Sequence, residues 1–264
     1  MRPGSRPSPS DQAGLAAGIL TYALPIEENP FEELSASIRW EDVGKGRRGA
    51  VLTRVDEDGG VPLVRTTTRY AHPAQRFRAV HERLARQVRE HGALPAGFDN
   101  ALAETCTNAY RTMGAHSDQA LDLADGSFIA VFSCYRDPGA GAPRKLVLAP
   151  KDSGGETFEL PLAHNGVVAF SVATNRRLRH KIVLDASGPT ADNPWLGVTF
   201  RTSRTSVRFA DGHPHLPRGA RLTLADEEQR RAFYRLRRRE NDETDFVYPP
   251  LTYTVSESDL VPPV

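Results

Sequence analysis

The chain has 264 residues, enough to bury a full core, and one large β domain is expected rather than two small ones. Thirty-four Lys and Arg against 33 Asp and Glu leave a formal net charge of +1, which excludes a global polycation holding nucleic acid by counterion release. Two cysteines, Cys106 and Cys134, are too few for a disulfide framework or a thiolate metal cluster and read as small buried residues.

Residues 1–13 are rich in Pro, Ser and Gly without periodicity, the pattern of a disordered leader, and residues 14–264 read as a single domain. No stretch has the order of a signal peptide, and no apolar run approaches the roughly 20 residues of a membrane span. A soluble, cytoplasmic protein without a membrane partner is expected. Asn29-Pro-Phe-Glu-Glu-Leu has a cap residue, a first-turn Pro and early acids, which predicts a helix to about Ile38. Ala50 to Val55 and Pro62 to Tyr70 predict strands joined through Asp58-Gly-Gly, with the Lys45-Gly-Arg-Arg48 cluster as a solvated turn before them. Phe77, Val80, Leu84 and Val88 recur at helical spacing between Ala74 and His91, and a second helix is expected over Asn100 to Thr107.

From Gly126 onward the period changes to two. Segments at Ser127–Tyr135, Arg144–Ala149, Glu156–Leu162, Val167–Val172, Leu178–Leu184, Leu196–Arg201 and Ser206–Phe209 are separated by Gly and Asn turns, including Asn165-Gly166. Short, regularly spaced strands of this kind predict a sandwich or barrel. Asp226 to Arg239 predicts a last helix, Arg-rich but offset by acids and so expected to be solvated and ion-paired, before a tail that adds an edge strand or covers the sheet.

The chemistry concentrates at His116-Ser-Asp118. In a strand, residues two apart project to one face, so an imidazole and a carboxylate point inward together, two-thirds of a 2-His-1-carboxylate iron site. The best third ligand is His180, 62 residues beyond Asp118 inside the strand Leu178-Arg-His-Lys-Ile-Val-Leu; His164, His213 and His215 sit at turns or in loops. An arginine fork suits a planar carboxylate, and Arg201 ends the strand Leu196-Gly-Val-Thr-Phe-Arg, with Arg204 and Arg208 as alternatives.

These pieces together, Asn108-Ala-Tyr110, His116-Ser-Asp118, the strand Ser127 to Ser133, the hairpin through Gly166 to His180, and Gly197-Val-Thr-Phe-Arg201, resemble an AlkB-like member of the iron(II)- and 2-oxoglutarate-dependent dioxygenases. Upstream, Gly46-Arg-Arg and Val61 to Tyr70 resemble that family's substrate-facing segment. The resemblance implies an α+β, mainly β fold: a double-stranded β-helix, or jelly-roll, core with N-terminal helices packed on its sheet. Residues 14–107 would supply support and the substrate-facing segment, 108–209 the metal-binding β core, and 210–264 the C-terminal helix and tail. It further implies Fe(II) held by His116, Asp118 and His180, and 2-oxoglutarate held by Arg201 with Asn108, Tyr110 and Arg204, with O2 as co-reactant. Arg65, Thr67, Tyr70 and Tyr135 are candidate substrate-lining residues.

The chain departs from the family pattern in two places. The run from Tyr110 to His116 is short, and Trp195 stands six positions before Arg201, where the family carries an Arg. A hydroxylase of a small-molecule substrate is therefore expected. The alternatives are a demethylase of alkylated nucleobases in DNA or RNA, with Lys45 to Arg48, Arg65, Arg69 and the late Arg helix as phosphate contacts, and a non-catalytic β-sandwich binding protein.

Overall fold

A computed structural model of the protein describes residues 18–140, 144–152, 155–185 and 192–264; the leader expected over 1–13 lies outside them. The fold is mainly β with few helices. Its largest sheet runs in the order β1 (Ile19–Ala23), β10 (Gly166–Ser171), β7 (Phe128–Tyr135), β12 (Trp195–Arg201), β6 (Asn100–Cys106), β3 (Arg47–Thr53) and β2 (Glu41–Gly44), with β5 (Gln75–Arg76) paired to β3. A smaller sheet has the order β11 (Leu178–Leu184), β8 (Arg144–Pro150), β9 (Phe158–Pro161). Bridges from Thr112 to Val183 and from His116 to His180 add the segment carrying the sequence dyad to the open side of β11. Apart from the β3–β5 contact, pairing in these two sheets is antiparallel.

Strand alternation divides the interior into two layers. On β7, Ala130, Phe132 and Cys134 face one side and pack against helices α1 (Phe31–Ser37) and α2 (Ala79–His91) through Phe31, Leu34, Val80, Leu84 and Val88. Ile129, Val131 and Tyr135 face the other side and meet Leu146, Leu148 and Ile182 of the smaller sheet. Strands covered on both faces read as nearly continuous apolar runs, which is why this region was so legible as sheet. Both cysteines are buried, as expected. Asn29 starts α1 by accepting the Phe31 N–H at 3.0 Å, with Pro30 in the capping position.

Three expectations fail here. Asn100 to Thr107 is not a helix but the central strand β6, between β3 and β12. Its alanines favour helix locally, yet Ala101 and Ala103 are the small side chains that face the helical layer, while Leu102 and Glu104 face the other way into a cavity. Ala50–Val55 and Pro62–Tyr70 do not form a hairpin. Only Val61–Leu63 (β4) is strand in the second stretch, and it pairs with β13 (Thr205–Ala210), which also carries β14 (His213–His215). Finally, the helix expected from Ala74 begins at Ala79, because Gln75 and Arg76 pair with Leu52 and Thr53.

The glycine in Trp195-Leu-Gly197 has a packing reason. A Cβ at position 197 would stand 2.1 Å from Trp195 Cη2 and 2.3 Å from its Cζ2, so the indole lies flat over Gly197. Trp195 is 1% exposed and has nowhere to swing. Gly197→Ala should therefore cost about 1–3 kcal/mol in urea unfolding through overpacking; an unchanged midpoint would show the indole to be free to move.

Candidate metal centre

His116 and His180 are directly opposite residues of an antiparallel pair. His116 N–H donates to the His180 carbonyl at 2.9 Å and His180 N–H to the His116 carbonyl at 2.7 Å, so both side chains leave the same face. Their ring centroids are 4.7 Å apart. His116 Nδ1 lies 2.8 Å from the Gly114 carbonyl, which can only accept, so that nitrogen carries a proton and Nε2 is the one turned to serve as a ligand. Asp118 Oδ1 stands 3.6 Å from His180 Nε2. One donor atom from each of His116, Asp118 and His180 lies within 4.8 Å of the others.

The electrostatics keep these donors in ligand form. Burial alone would raise the Asp118 carboxyl, but Arg201, at 2.8 Å through both Nε and Nη2, holds it well below the usual carboxylate range. Burial, with His116 alongside, lowers His180 to about 3, so its ring is neutral at pH 7. Two imidazoles and one carboxylate fit a divalent transition metal such as iron(II).

The backbone around the dyad is pinned from two helices. Asn175, on α3 (Val172–Arg177), accepts the Asp118 N–H at 2.8 Å and donates Nδ2 to the Asp118 carbonyl at 2.7 Å. From α4 (Glu227–Asp242), Asn241 accepts the Ser117 N–H at 2.9 Å, Arg237 donates to the Ser117 carbonyl at 2.8 Å, and Glu240 accepts the Ala120 N–H at 2.8 Å. Arg237 is ion-paired with Glu240, which also accepts from the Tyr248 hydroxyl. The Arg-rich helix is thus not solvated throughout: Arg231 and Arg239 pair with acids at the surface, but Phe233, Arg237 and Glu240 are buried. Their i, i+4, i+7 spacing was the signal in the sequence.

A cavity of about 340 Å³ opens beside the three donors. Of the residues expected around it, His116, Asp118, His180, Arg201, Tyr110, Arg65 and Thr67 line it. Arg65 does so as a locked residue, since Nε and Nη2 bond Asp122 at 2.9 and 2.8 Å and Nη1 donates to the carbonyls of Leu251 and Tyr253. A 4% exposed, fully committed guanidinium is not free to contact phosphate. Asn108, Tyr70, Tyr135 and Arg204 are not among the lining residues. Tyr135 is structural, donating its hydroxyl to the Leu162 carbonyl and accepting the Arg144 N–H. Tyr70 is buried against Gly49, and Arg204 donates to the Leu121 carbonyl. The Asn108 N–H donates to Asp192 Oδ1 at 2.9 Å.

Sequence reasoning missed Glu104; Arg47, which belongs to the turn cluster and to the Gly46-Arg-Arg stretch of the resemblance, forms a 3.1 Å ion pair with it in the cavity wall. Arg47 also donates to the Tyr110 hydroxyl at 3.2 Å and to Thr68 Oγ1 at 3.1 Å. Lys45 stays in the exposed turn, with φ of 57° between two positive-φ glycines, but Arg47 turns inward at the start of β3.

No family model matches the sequence, and no curated protein does. Solved structures that match this chain include the following two. OsALKBH1 is 12% identical with a TM-score of 0.45, over 70% of this chain and 96% of that one. A Pseudomonas putida prolyl-4-hydroxylase is 12% identical with a TM-score of 0.40, over 72% of this chain and 96% of that one.

Proposed function

We propose that this chain is an iron(II)- and 2-oxoglutarate-dependent oxygenase that hydroxylates a C–H bond of a small-molecule substrate. The observation that carries the reading is the convergence of His116, Asp118 and His180, from a strand pair and its extension, on the edge of a polar cavity. The sheet orders support a double-stranded β-helix as the scaffold. In that arrangement β6, β12, β7 and β10 form one wall and the 112–116 segment, β11, β8 and β9 the other.

His116, Asp118 and His180 would hold iron(II), leaving coordination positions for the 2-oxo acid and oxygen. So loaded, the site supplies C–H hydroxylation coupled to decarboxylation of 2-oxoglutarate to succinate. The rest belongs to the chain's own residues. Arg201 keeps Asp118 ionised and oriented; the Gly114 carbonyl fixes the His116 tautomer; Asn175 and α4 hold the dyad's backbone. The Arg47–Glu104 pair and Thr67 present donors and acceptors to a substrate in the cavity.

A cavity of about 340 Å³ suits the co-substrate together with a compact ligand, at the lower end of the usual range for small-molecule sites. The burial of Arg65 removes one of the phosphate contacts that a nucleic-acid substrate would use. The test is anaerobic reconstitution with Fe(II), then 2-oxoglutarate and oxygen, with succinate quantified. Slow succinate formation without added substrate is expected, dependent on both Fe(II) and oxygen; its complete absence would sink the reading.

A further inference from the structure

Four arginines among the described residues are almost fully buried: Arg65, Arg144, Arg201 and Arg237. Three have a carboxylate: Asp122, Asp118 and Glu240 respectively. Among the described residues, Arg144 has none at ion-pair distance. It is 1% exposed; Nη2 donates to the Thr107 carbonyl at 2.7 Å, and Nη1 has no partner. Burial lowers its pKa, the opposite of the shift at Arg65 and Arg237. A buried guanidinium without a close counter-charge is strongly destabilising, which calls for an anion that none of the described residues supplies at ion-pair distance.

Two further unpaired donors lie at the same end of the interior. Trp195 Nε1 and Ser133 Oγ are both buried without partners. Trp195 is opposite Tyr135 and Cys106 in the sheet, and Tyr135 Oη accepts the Arg144 N–H at 2.6 Å. Ser133 is opposite Gly197, over which the indole of Trp195 lies.

The spacing fits one particular anion. Arg201 bonds the metal ligand Asp118 itself, so it stands at the chelating end of a bound 2-oxo acid, not the far end. Arg144, Leu146 and Leu148 share a face of β8, Leu148 opposite His180 and Arg144 opposite Leu184. Four residues of strand span about 13 Å. A five-carbon diacid is roughly 5 Å between its carboxyl carbons and an arginine side chain about 6 Å long, from ordinary bond lengths. With a metal–ligand bond of about 2 Å, those lengths cover the interval. Leu146, one step above Arg144, and Tyr110 both line the cavity. The arginines that line the cavity are already engaged: Arg65, Arg201 and Arg237 each hold a carboxylate, and Arg47 has Glu104, Tyr110 and Thr68 beside its three nitrogens.

We propose that Arg144, assisted by the Trp195 indole N–H and the Ser133 hydroxyl, binds the far carboxylate of 2-oxoglutarate. The inference rests on the oxygenase reading above. It accounts for Trp195 at the position where an arginine was expected: the cation comes instead from β8, across the interior.

The test is calorimetric titration of the Mn(II)-loaded protein with 2-oxoglutarate and with 2-oxobutyrate, which shares the chelating end but lacks the far carboxylate. The native protein should prefer 2-oxoglutarate. Arg144→Met should weaken 2-oxoglutarate about 100-fold, leave 2-oxobutyrate unchanged and so abolish the preference; Arg144→Lys should retain part of it. Ligand-free Arg144→Met should melt at or above the native temperature, since an unpaired buried charge has been removed. A preference that survives in Arg144→Met, or that is lost in Arg47→Met instead, overturns the proposal and leaves Arg144 a structural residue with at most a buried water on Nη1. Native protein that binds neither acid overturns the oxygenase reading and this inference together.

Discussion

His180→Ala should weaken binding of a divalent metal by more than about 100-fold, because loss of a mere supporting partner of a ligand already costs 10–100-fold. The ring is neutral in the native fold, its pKa held near 3 by burial, so its removal leaves no stranded charge and the variant should fold. Equilibrium dialysis with Mn(II) gives the affinity directly, and succinate formation should fall to background in parallel. His116→Ala should behave alike. His164→Ala is the control: that ring lies in the β9–β10 connection, where its Nδ1 accepts the Tyr135 N–H, and metal affinity should not change. Native-like affinity in His180→Ala would remove the metal assignment altogether.

Arg237→Met tests the clamp from α4. The change leaves Glu240, 3% exposed, without its cation and the Ser117 carbonyl without its donor. Breaking a buried pair from one side costs about 3–5 kcal/mol, readable as a shift in urea unfolding. Metal affinity should also drop roughly 10–100-fold as the segment from Ser117 to Ala120 loses its fixed position. Adding Glu240→Leu should recover much of the stability, since a buried ion pair is often replaceable by apolar side chains. It should not recover the metal affinity, because Ala120 N–H then loses its acceptor too. A single variant that loses less than about 1 kcal/mol would mean that the pair is open to water.

The readable part of the sequence was the part where one physical signal dominated. Short, regularly spaced segments between Gly and Asn turns marked β7, β8, β10, β11 and β12, and the structure adds that His180 stands opposite His116. β6 was misread because its alanines answer to a tertiary demand, the close approach of helices, that no local window contains. Arg47 and Arg237 were misread because a charged residue in a turn or on a polar helix is ordinarily solvated. Their burial depends on partners 57 residues away at Glu104 and three away at Glu240, and only the second spacing is visible locally. Arg201 was read as the anchor of the co-substrate's far carboxylate; it lines the cavity, and its bond to Asp118 could not be read from spacing, since it joins residues 83 apart.

The clamp also sets an order of events during synthesis. The dyad at 116–118 is made early, yet its partners arrive in stages: Asn175 and His180 midway, Arg237, Glu240 and Asn241 near the end. A nascent chain that has reached only β12 already owns all three donor side chains, but the backbone between His116 and Ala120 still lacks three of its anchors. The backbone that carries two of the three donors is therefore fully fixed only once α4 has packed against the segment from Ser117 to Ala120.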